Sequence, residues 1–396
     1  MLIKNAKLSD GTQVDVLIQD GKIAGLMQNM PAHGEEVIDA AGRTLMPGFI
    51  DLHCHWRTPG FEYKEDIATG SAAAAAGGYT FVNLMPNTRP VCSSAAQAHA
   101  VMDEAERLGI CGANQTVSIT ENFDGQTLDH LKSLPEDLRF ITEDGKGVQN
   151  NEVMAKAFAI CAQRDLVLMS HAEDMQISKW DYRLAENIET VRNLHLSEYY
   201  GTRLHMCHVS TKEAIAAIGD AKRRGVPVTC EVTPHHLWFA DTDYRVNPPI
   251  RQPEDVQALV EAIRTGVVDA IATDHAPHSA EEKARPLTDA PSGMVGLETV
   301  LAVALTYLYH TGDMALSDIL RRMTINPACI LRLPTKGRLA IGSDGDVVIF
   351  DPDEAWTVEP NRFASKGRNT PFGGKTLRGK VKYTIVGGEI VYREGE

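Results

Sequence analysis

The segment PGFIDLHCH, residues 47–55, decides the fold of this chain. It is a short apolar run that ends in two histidines, and seven further apolar runs follow it, most of them separated by stretches long enough for a helix. Apolar strands that alternate with helical segments are typical of parallel β/α units. The later runs are TFVNLM (80–85), QTVSIT (115–120), LRFIT (138–142), LVLMSH (166–171), RLHMCHV (203–209), PVTCEVT (227–233) and DAIATD (269–274).

The number of these runs predicts an α/β protein with a (β/α)8 barrel, the TIM-barrel fold, over residues 47–334. A doubly wound sheet is the alternative. It has less support because neither GxGxxG nor GxxxxGK[ST], the glycine-rich turns typical of such sheets, occurs in the chain. The helical segments between the strands include 93–108, 151–163, 211–224 and 254–265.

The two ends of the chain have a different pattern. Apolar and polar residues alternate in LIKNAKL and VDVLIQDGKIAGLM near the start, and again in DVVIFD, VKYTIV and EIVYRE near the end. Such alternation is typical of antiparallel strands, and the Asp-Gly pairs at 10–11 and 20–21 are typical hairpin turns. Because chain termini often lie close together, we predict that residues 1–46 and 335–396 form one small β-sandwich domain.

The composition excludes several classes of protein. The 396 residues include 39 Lys and Arg against 53 Asp and Glu, and the resulting net charge of −14 argues against a nucleic-acid-binding surface. No run approaches the ~18 apolar residues of a membrane span, and the N-terminus has no secretory signal pattern. Seven scattered cysteines without a CxxC pair fit reduced thiols. We therefore expect a cytoplasmic protein that binds neither nucleic acid nor membrane.

Residue types that bind metals occur where the predicted strands end. In a barrel these ends share one face, on which active sites of this fold are built. A lone histidine at a strand end is commonly a hydrogen-bonded core or rim residue, but four imidazoles and two carboxylates at one face favour zinc or a similar divalent ion. The candidate ligands are His53, His55, Asp144 of the Glu143-Asp144 pair, His171, His208 and Asp274.

The number of candidates indicates two ions, since a mononuclear catalytic zinc typically has three protein ligands. His235 and His236 follow the seventh strand, and they either line the site or pack at the rim. Cys207 and Ser210 flank His208 outside any GxSxG context, so no covalent nucleophile is predicted.

The segments that carry these residues resemble the cyclic amidohydrolases of the amidohydrolase superfamily, and most closely the type I dihydroorotases. The combination of HxHxRxPG, MPNT and DHAPH is highly specific, whereas HxH alone occurs in many hydrolases. The resemblance covers essentially the whole chain. The matching segments are PGFIDLHCHWRTPGFEYKEDIATGS, NLMPNTRP, EDG, SHAED, CHVSTKEA, CEVTPHHL, VNPPIR, ATDHAPH, GLET and SKGRNTPFGG.

The resemblance implies a pair of zinc ions bridged by Asp144. Many relatives bridge their ions with a carboxylated lysine, and Lys146 is the alternative bridge in this chain. Trp56 departs from the aliphatic residue expected after the HxH pair, and its ring is expected to pack beneath the strand end. The implied zinc ligands are His53, His55, Asp144, His171, His208 and Asp274.

The resemblance also implies that Arg57, Asn87, Asn247 and His278 bind substrate. An arginine fork beside an amide and an imidazole suits the recognition of a planar carboxylate. Ordinary structural roles are the alternatives, namely a loop salt bridge for Arg57, a helix cap for Asn87 and a turn for Asn247.

The implied reaction is the reversible hydrolysis of the cyclic amide of dihydroorotate to N-carbamoyl-aspartate in pyrimidine synthesis, with Asp274 also moving the proton. An allantoinase or a dihydropyrimidinase is the alternative, normally with a lysine bridge and without the Arg57/Asn87 pair. An inactive scaffold homologue is a third reading, but such homologues lack ligands that this chain retains. We also expect a homodimer, an association with aspartate transcarbamoylase as a further partner, and a loop within 234–253 or 278–296 that closes over substrate.

Overall fold

A computed structural model describes residues 1–395 of the chain. The strands are β1 (Leu2–Lys7), β2 (Gln13–Gln19), β3 (Lys22–Met27), β4 (Val37–Asp39), β5 (Thr44–Pro47), β6 (Phe49–Cys54), β7 (Tyr79–Leu84), β8 (Gly112–Gln115), β9 (Val117–Ser118), β10 (Phe140–Thr142), β11 (Val167–Ser170), β12 (Leu204–Met206), β13 (Val228–Val232), β14 (Ala270–Ile271), β15 (Val347–Thr357), β16 (Thr376–Val386) and β17 (Glu389–Arg393).

The α-helices lie between and after these strands. They are α1 (Ile67–Ala76), α2 (Ala95–Leu108), α3 (Asn151–Arg164), α4 (Tyr182–Tyr200), α5 (Lys212–Arg223), α6 (Pro234–Trp238), α7 (Pro253–Arg264), α8 (Ala280–Lys283), α9 (Val300–Ala304), α10 (Leu316–Arg321) and α11 (Ile325–Ile330). The four predicted helices are confirmed as α2, α3, α5 and α7. No helix within residues 1–395 is both long enough and apolar enough to cross a membrane.

The strands in the middle of the chain form two parallel sheets, one of β6, β7 and β8 and one that runs from β9 to β14 in chain order. Each predicted apolar run contributes a strand, with one difference. The run at 115–120 is divided at Thr116, because β8 pairs with β7 whereas β9 pairs with β10. The chain thus changes partners at this residue.

The two parallel sheets lie edge to edge at their outer strands. The main-chain N–H of His55, just after β6, donates to the carbonyl of His275, which follows β14 (2.9 Å). At the other junction the chain runs directly from β8 through Thr116 into β9, so one continuous segment belongs to both sheets. Because the strands are parallel, their carboxyl ends lie on one face, and the polar residues that follow them are brought together there.

Strands from both ends of the chain pair in a separate mixed sheet of eight strands. Its centre is the antiparallel pair of β15 and β5, in which Val347 lies opposite Pro47. The side chains of Ile3, Val16, Leu45 and Val347 belong to its buried core. Only Gly48 separates the end of β5 from the start of β6, so this sheet is attached directly to the strand that leads into the first histidine pair.

Trp56 packs as the sequence predicts, since it is 2% exposed and lies against α1. The helix carries a glycine at the contact, and a Cβ atom built on Gly70 would lie 2.3 Å from Cδ1 of the indole. The run of small residues in α1 therefore matches the large ring that follows the histidine pair.

Candidate metal centre and substrate pocket

The predicted ligands all lie at or just after the carboxyl ends of the parallel strands, and all are buried. His53 belongs to β6, and the other candidates follow their strands by one to three residues. His208 and Asp274 have φ angles of 33° and 45°. Such positive φ values are uncommon outside glycine and cluster at functional sites. The buried candidates are His53, His55, Asp144, His171, His208 and Asp274.

Asp144 occupies the centre of this cluster. Its Oδ1 atom lies 3.2 Å from Nε2 of His53, 3.7 Å from Nδ1 of His171 and 4.0 Å from Nε2 of His208. Its Oδ2 atom lies 3.7 Å from Nε2 of His55. One carboxylate thus faces all four imidazoles, and its two oxygens face different members of the set.

Asp274 lies on the other side of the first histidine pair. Its Oδ1 atom is 3.3 Å from Nε2 of His55 and 3.6 Å from Nε2 of His53. Three overlapping groups of residues have ligand atoms close enough to hold an ion, and all include His53. Two consist of predicted ligands, namely His53 with Asp144 and His208, and His53 with His55 and Asp274. The third joins His53 to Cys207 and Glu231.

The arrangement fits a divalent metal. The Nε2 atom of His53 is buried and makes no hydrogen bond of good geometry within residues 1–395, although Oδ1 of Asp144 lies 3.2 Å away. A buried ring nitrogen is costly when it is left unpaired, and a metal ion would use its lone pair. Imidazole nitrogens together with carboxylate oxygens are the donors that zinc and similar ions prefer.

Charge in the cluster is set by these close contacts. Burial alone would raise the pKa of Asp144, but the adjacent His53, followed by His55 and His171, holds that pKa well below its usual range. Burial lowers the pKa of His208 to about 3, with His171 and His53 adding to the effect. The carboxylate is therefore ionised and this imidazole neutral, which are the forms that bind metals.

Two of the predicted substrate residues, Arg57 and His278, lie next to each other. The Nη2 atom of Arg57 lies 3.4 Å from Nε2 of His278, and its Nε donates to the carbonyl of Pro277 (3.2 Å). Burial, with Arg57 and Lys64 nearby, lowers the pKa of His278 to about 3. Across residues 1–395 no carboxylate lies in ion-pair contact with Arg57, so the loop salt bridge is not what the structure shows.

The two predicted asparagines bond to the cluster itself. Asn87 accepts a hydrogen bond from Nδ1 of His55 (2.9 Å) and donates one to Oδ2 of Asp144 (2.8 Å). The alternative helix-cap role for Asn87 is wrong, because Ser94 caps α2. Asn247 donates to Oε2 of Glu173 over 2.8 Å.

Comparison with known proteins agrees with this geometry. The amidohydrolase family matches residues 44–391. The chain is 45% identical over 401 residues to a dihydroorotase of Clostridium botulinum (strain Eklund 17B / Type B), with 100% of both chains covered. It is 39% identical to a dihydroorotase of Syntrophus aciditrophicus (strain SB), over 99% of this chain and 98% of the relative. The chain belongs to the dihydroorotases of the amidohydrolase family. It is a hydrolase that acts on cyclic amides.

Solved structures of other cyclic-amide hydrolases share the fold of this amidohydrolase. The L-hydantoinase (dihydropyrimidinase) from Arthrobacter aurescens superposes with a TM-score of 0.91 at 26% identity, over 100% of this chain and 96% of that one. A D-hydantoinase (dihydropyrimidinase) from Thermus sp. gives a TM-score of 0.87 at 25% identity, over 100% and 96%. The dihydropyrimidinase alternative considered from the sequence is thus a name that these structural neighbours carry.

Two of the predicted alternatives, Lys146 and His236, make contacts outside the cluster of this amidohydrolase. Nζ of Lys146 donates to the carbonyl of Phe123 (2.7 Å) and lies 5.1 Å from the centre of the Phe123 ring. His236 bonds to Thr233 (2.7 Å) and to the carbonyl of Pro248 (2.9 Å), which is a structural role. His235 is buried, and its Nε2 atom has no partner within residues 1–395.

Sequence reasoning missed two buried glutamates that bond to the candidate ligands. Oε1 of Glu231 lies 3.0 Å from Nδ1 of His53, and Oε2 of Glu173 lies 3.0 Å from Nε2 of His171. Burial opposes the ionisation of Glu231, but hydrogen bonds from His205 and His53 lower its pKa to about 2. A glutamate inside the apolar run PVTCEVT was the available signal, because a buried charge requires partners.

Proposed function

We propose that this amidohydrolase catalyses the reversible hydrolysis of the ring amide of dihydroorotate to N-carbamoyl-aspartate, a reaction of pyrimidine synthesis. The observation that carries the proposal is the guanidinium of Arg57, which lies beside the metal-type cluster and, among the described residues 1–395, has no carboxylate as an ion-pair partner. Dihydroorotate brings a ring carboxylate to pair with it. The names of the full-length relatives give the same substrate.

We further propose a centre of two zinc ions. Asp144 is the proposed bridge because its two oxygens face different histidines. Ions of this kind lower the pKa of water and polarise a carbonyl group. The residues that would hold them are His53, His55, Asp144, His171, His208 and Asp274.

Asp274 is proposed to move the proton. Burial would raise its pKa, but His55, His53 and His208 hold it far below the ordinary value, so the group is ionised at neutral pH. An ionised carboxylate can accept a proton from the attacking water and deliver it to the ring nitrogen as the amide bond breaks. Arg57, with His278 beside it, would bind the substrate carboxylate and thereby fix the position of the ring.

A hydantoinase or dihydropyrimidinase activity is the second candidate, since structures of that type superpose closely on this chain. The rings of hydantoin and dihydrouracil carry no carboxylate, so Arg57 would be left unpaired when either of them is bound. Purified protein loaded with zinc is expected to hydrolyse dihydroorotate, with a metal content near two ions per chain. Turnover of hydantoin or dihydrouracil without turnover of dihydroorotate would contradict the proposal.

The proposed architecture is a closed (β/α)8 barrel over residues 47–334, with the end domain formed by 1–46 and 335–396. Closure is supported at one edge by the main-chain hydrogen bond from His55 to His275 and at the other by the direct run of the chain from β8 into β9. The loops 234–253 and 278–296 are joined by Lys283, whose Nζ lies 3.1 Å from the carbonyls of Pro291 and Gly293 and 3.4 Å from that of Arg245. We propose that one of these loops covers bound substrate.

Association with aspartate transcarbamoylase stays a proposal.

A further inference from the structure

Helix α4 has its polar and apolar faces reversed relative to an ordinary surface helix. Surface helices normally bury an apolar stripe and expose polar residues. In α4 most of the buried positions are polar, and several of them hydrogen-bond within the chain. The buried residues are Ala185, Glu186, Glu189, Thr190, Asn193, Leu194 and Ser197.

The exposed side of α4 is correspondingly apolar. Large apolar side chains at positions 184, 188, 191 and 199 repeat at the spacing of one helix face, and Trp180 and Tyr182 extend the same region at its start. Six of the eleven exposed large apolar residues within 1–395 fall in this one segment, so they form a patch rather than scattered sites. We call this set the α4 patch, and it consists of Trp180, Tyr182, Leu184, Ile188, Val191 and Tyr199.

The size of the α4 patch suits an interface. Trp180, Tyr182 and Tyr199 are 70%, 42% and 74% exposed, which leaves roughly 300–450 Å² of aromatic surface in contact with water. With the three aliphatic side chains, the patch is on the order of 600 Å², the upper end of what typical monomers expose. That is most of the about 800 Å² that each partner contributes to a standard interface.

The charges around the α4 patch also favour a second copy of this chain. Glu198 is the one carboxylate among the exposed positions of α4, and it pairs with Arg224 (3.0 Å). The flanking Arg183 and Arg192 are paired with acidic residues of their own chain. Two chains that each carry −14 can approach most favourably through a surface without unpaired charge. A two-fold contact uses the same patch on both chains, and most soluble oligomers are of this kind.

We propose that the α4 patch is the interface of a homodimer, in which α4 packs against α4 of a second copy. A helix of 19 residues is ~28 Å long, so two such helices can cover each other along most of their length. Antiparallel packing would bring Trp180 of each chain towards Tyr199 of the other. Because Trp180 lies on the segment that leads from Glu173 into α4, dimer formation would also hold the segment that follows His171.

Sedimentation of the purified full-length protein from about 0.1 to 100 μM tests this proposal. Wild type is expected to be a dimer whose association strengthens as salt increases, because salt screens the repulsion between two acidic chains. Ile188→Glu with Val191→Glu should weaken association by at least about 100-fold, since like charges would meet in the interface. The matched control is Ile341→Glu. Ile341 is also an exposed apolar residue (74%, against 42% for Ile188 and 58% for Val191) but lies outside the α4 patch.

The control variant should sediment as wild type does, and circular dichroism should show that all variants remain folded. A wild-type protein that stays monomeric at about 100 μM would overturn the proposal. A dimer that persists unchanged in the α4 variant would also overturn it, since the interface would then lie elsewhere.

A second inference comes from the carboxylate that joins two imidazoles. Glu231 has Oε1 3.0 Å from Nδ1 of His53 and Oε2 3.0 Å from Nε2 of His205, and all three side chains are fully buried. A carboxylate only accepts hydrogen bonds, so both of these ring nitrogens must donate. The proton of neutral His53 is then on Nδ1, and the lone pair is on Nε2, the atom that faces Asp144.

We infer that Glu231 is a positioning residue that fixes the tautomer of His53, an inference that rests on the proposed metal centre. In Glu231→Gln the side-chain amide can donate to Nδ1, which would allow the proton to move to Nε2 and block metal binding. Zinc affinity, measured by competition with a chelator, should fall about 10–100-fold. Thr229→Val is the control, because it removes only the 2.8 Å contact to the far nitrogen of His205.

Nitrogen-15 NMR of the metal-free protein supplies an independent measurement. Burial opposes protonation of His53, but Asp144 raises its pKa well above the ordinary value, so the spectra are recorded at a pH high enough to leave the ring neutral. We expect neutral His53 to be protonated at Nδ1 in wild type and in Thr229→Val, and to be a mixture of tautomers in Glu231→Gln. An unchanged tautomer and unchanged zinc affinity in Glu231→Gln would overturn the inference. Absence of zinc binding in wild type would instead contradict the proposed metal centre, and the tautomer spectrum would still decide the role of Glu231.

Discussion

Nζ of Lys146 lies 2.7 Å from the carbonyl oxygen of Phe123, to which it donates a hydrogen bond. That contact holds the amine outside the group of imidazoles that surrounds Asp144. We therefore expect Lys146→Ala to keep most activity, with no response to added bicarbonate, and Asp144→Ala to lose activity. Steady-state rates with and without bicarbonate measure both. Bicarbonate-dependent activity that disappears in Lys146→Ala would indicate a carboxylated lysine as the bridge.

Removal of His53 should affect the metal as well as the rate. His53 takes part in all three groups of potential ligands, so His53→Ala is expected to lose most bound metal. His55→Ala should weaken binding too, because its Nε2 lies near Asp274 (3.3 Å). Elemental analysis together with the hydrolysis rate checks both variants. His99→Ala, an exposed histidine paired with Asp137, is the control and should keep its metal. Full metal content and activity in both site variants would falsify the assignment of this histidine pair.

Asp274→Asn tests the proton-transfer role. The amide is nearly the same size as the carboxylate but is a poor base, so the rate should fall roughly 10²–10⁴-fold or more while the fold is retained. Thermal unfolding and kcat should be measured on the same samples after metal loading. Near-normal turnover at full metal content would assign the proton transfer to another group.

The contact between Gly70 and Trp56 predicts a loss of stability. A methyl group at position 70 would lie 2.3 Å from the indole, and the ring is too closely buried to move away easily. Gly70→Ala should therefore destabilise the protein by about 1–3 kcal/mol, the usual cost of overpacking, despite the better helix propensity of alanine. Urea denaturation measures this change. Gly109→Ala has no neighbour to clash with but has a φ of 67°, so it separates backbone strain from overpacking.

The strands and the candidate ligands could be predicted because they depend on local pattern. An apolar run such as PGFIDLHCH needs to be buried on both faces, and residues 53 and 55 point to the same side of any strand. The single division at Thr116 could not be foreseen, because it reflects which neighbouring strand each half pairs with.

The hydrogen bonds within the site were less accessible from sequence. Asn87 is predicted to bind substrate, and that prediction does not include the hydrogen bonds by which its amide joins His55 to Asp144. Glu231 gave little signal because its partners, His53 and His205, are distant in the chain and are brought together by three different strands. The reversed polarity of α4 is likewise visible only when burial is known.

In the proposed function, substrate choice depends on Arg57. A buried site that is built to pair with a polar group can reject an analogue without that group by about 10⁴–10⁵-fold. We expect Arg57→Met to lose this preference mainly by slowing dihydroorotate. Arg57→Lys should be a poor substitute, because it keeps the charge but loses the planar fork.

The most direct test of the central claim is kcat/KM for dihydroorotate, dihydrouracil, hydantoin and allantoin on wild type, Arg57→Met and Arg57→Lys, all loaded with zinc. We predict that wild type turns over dihydroorotate by orders of magnitude faster than the three uncharged rings, and that Arg57→Met removes most of this difference. Comparable wild-type efficiency on an uncharged ring, or no change on loss of Arg57, would contradict a carboxylate pocket at Arg57 and favour a hydantoinase-like or allantoinase-like activity.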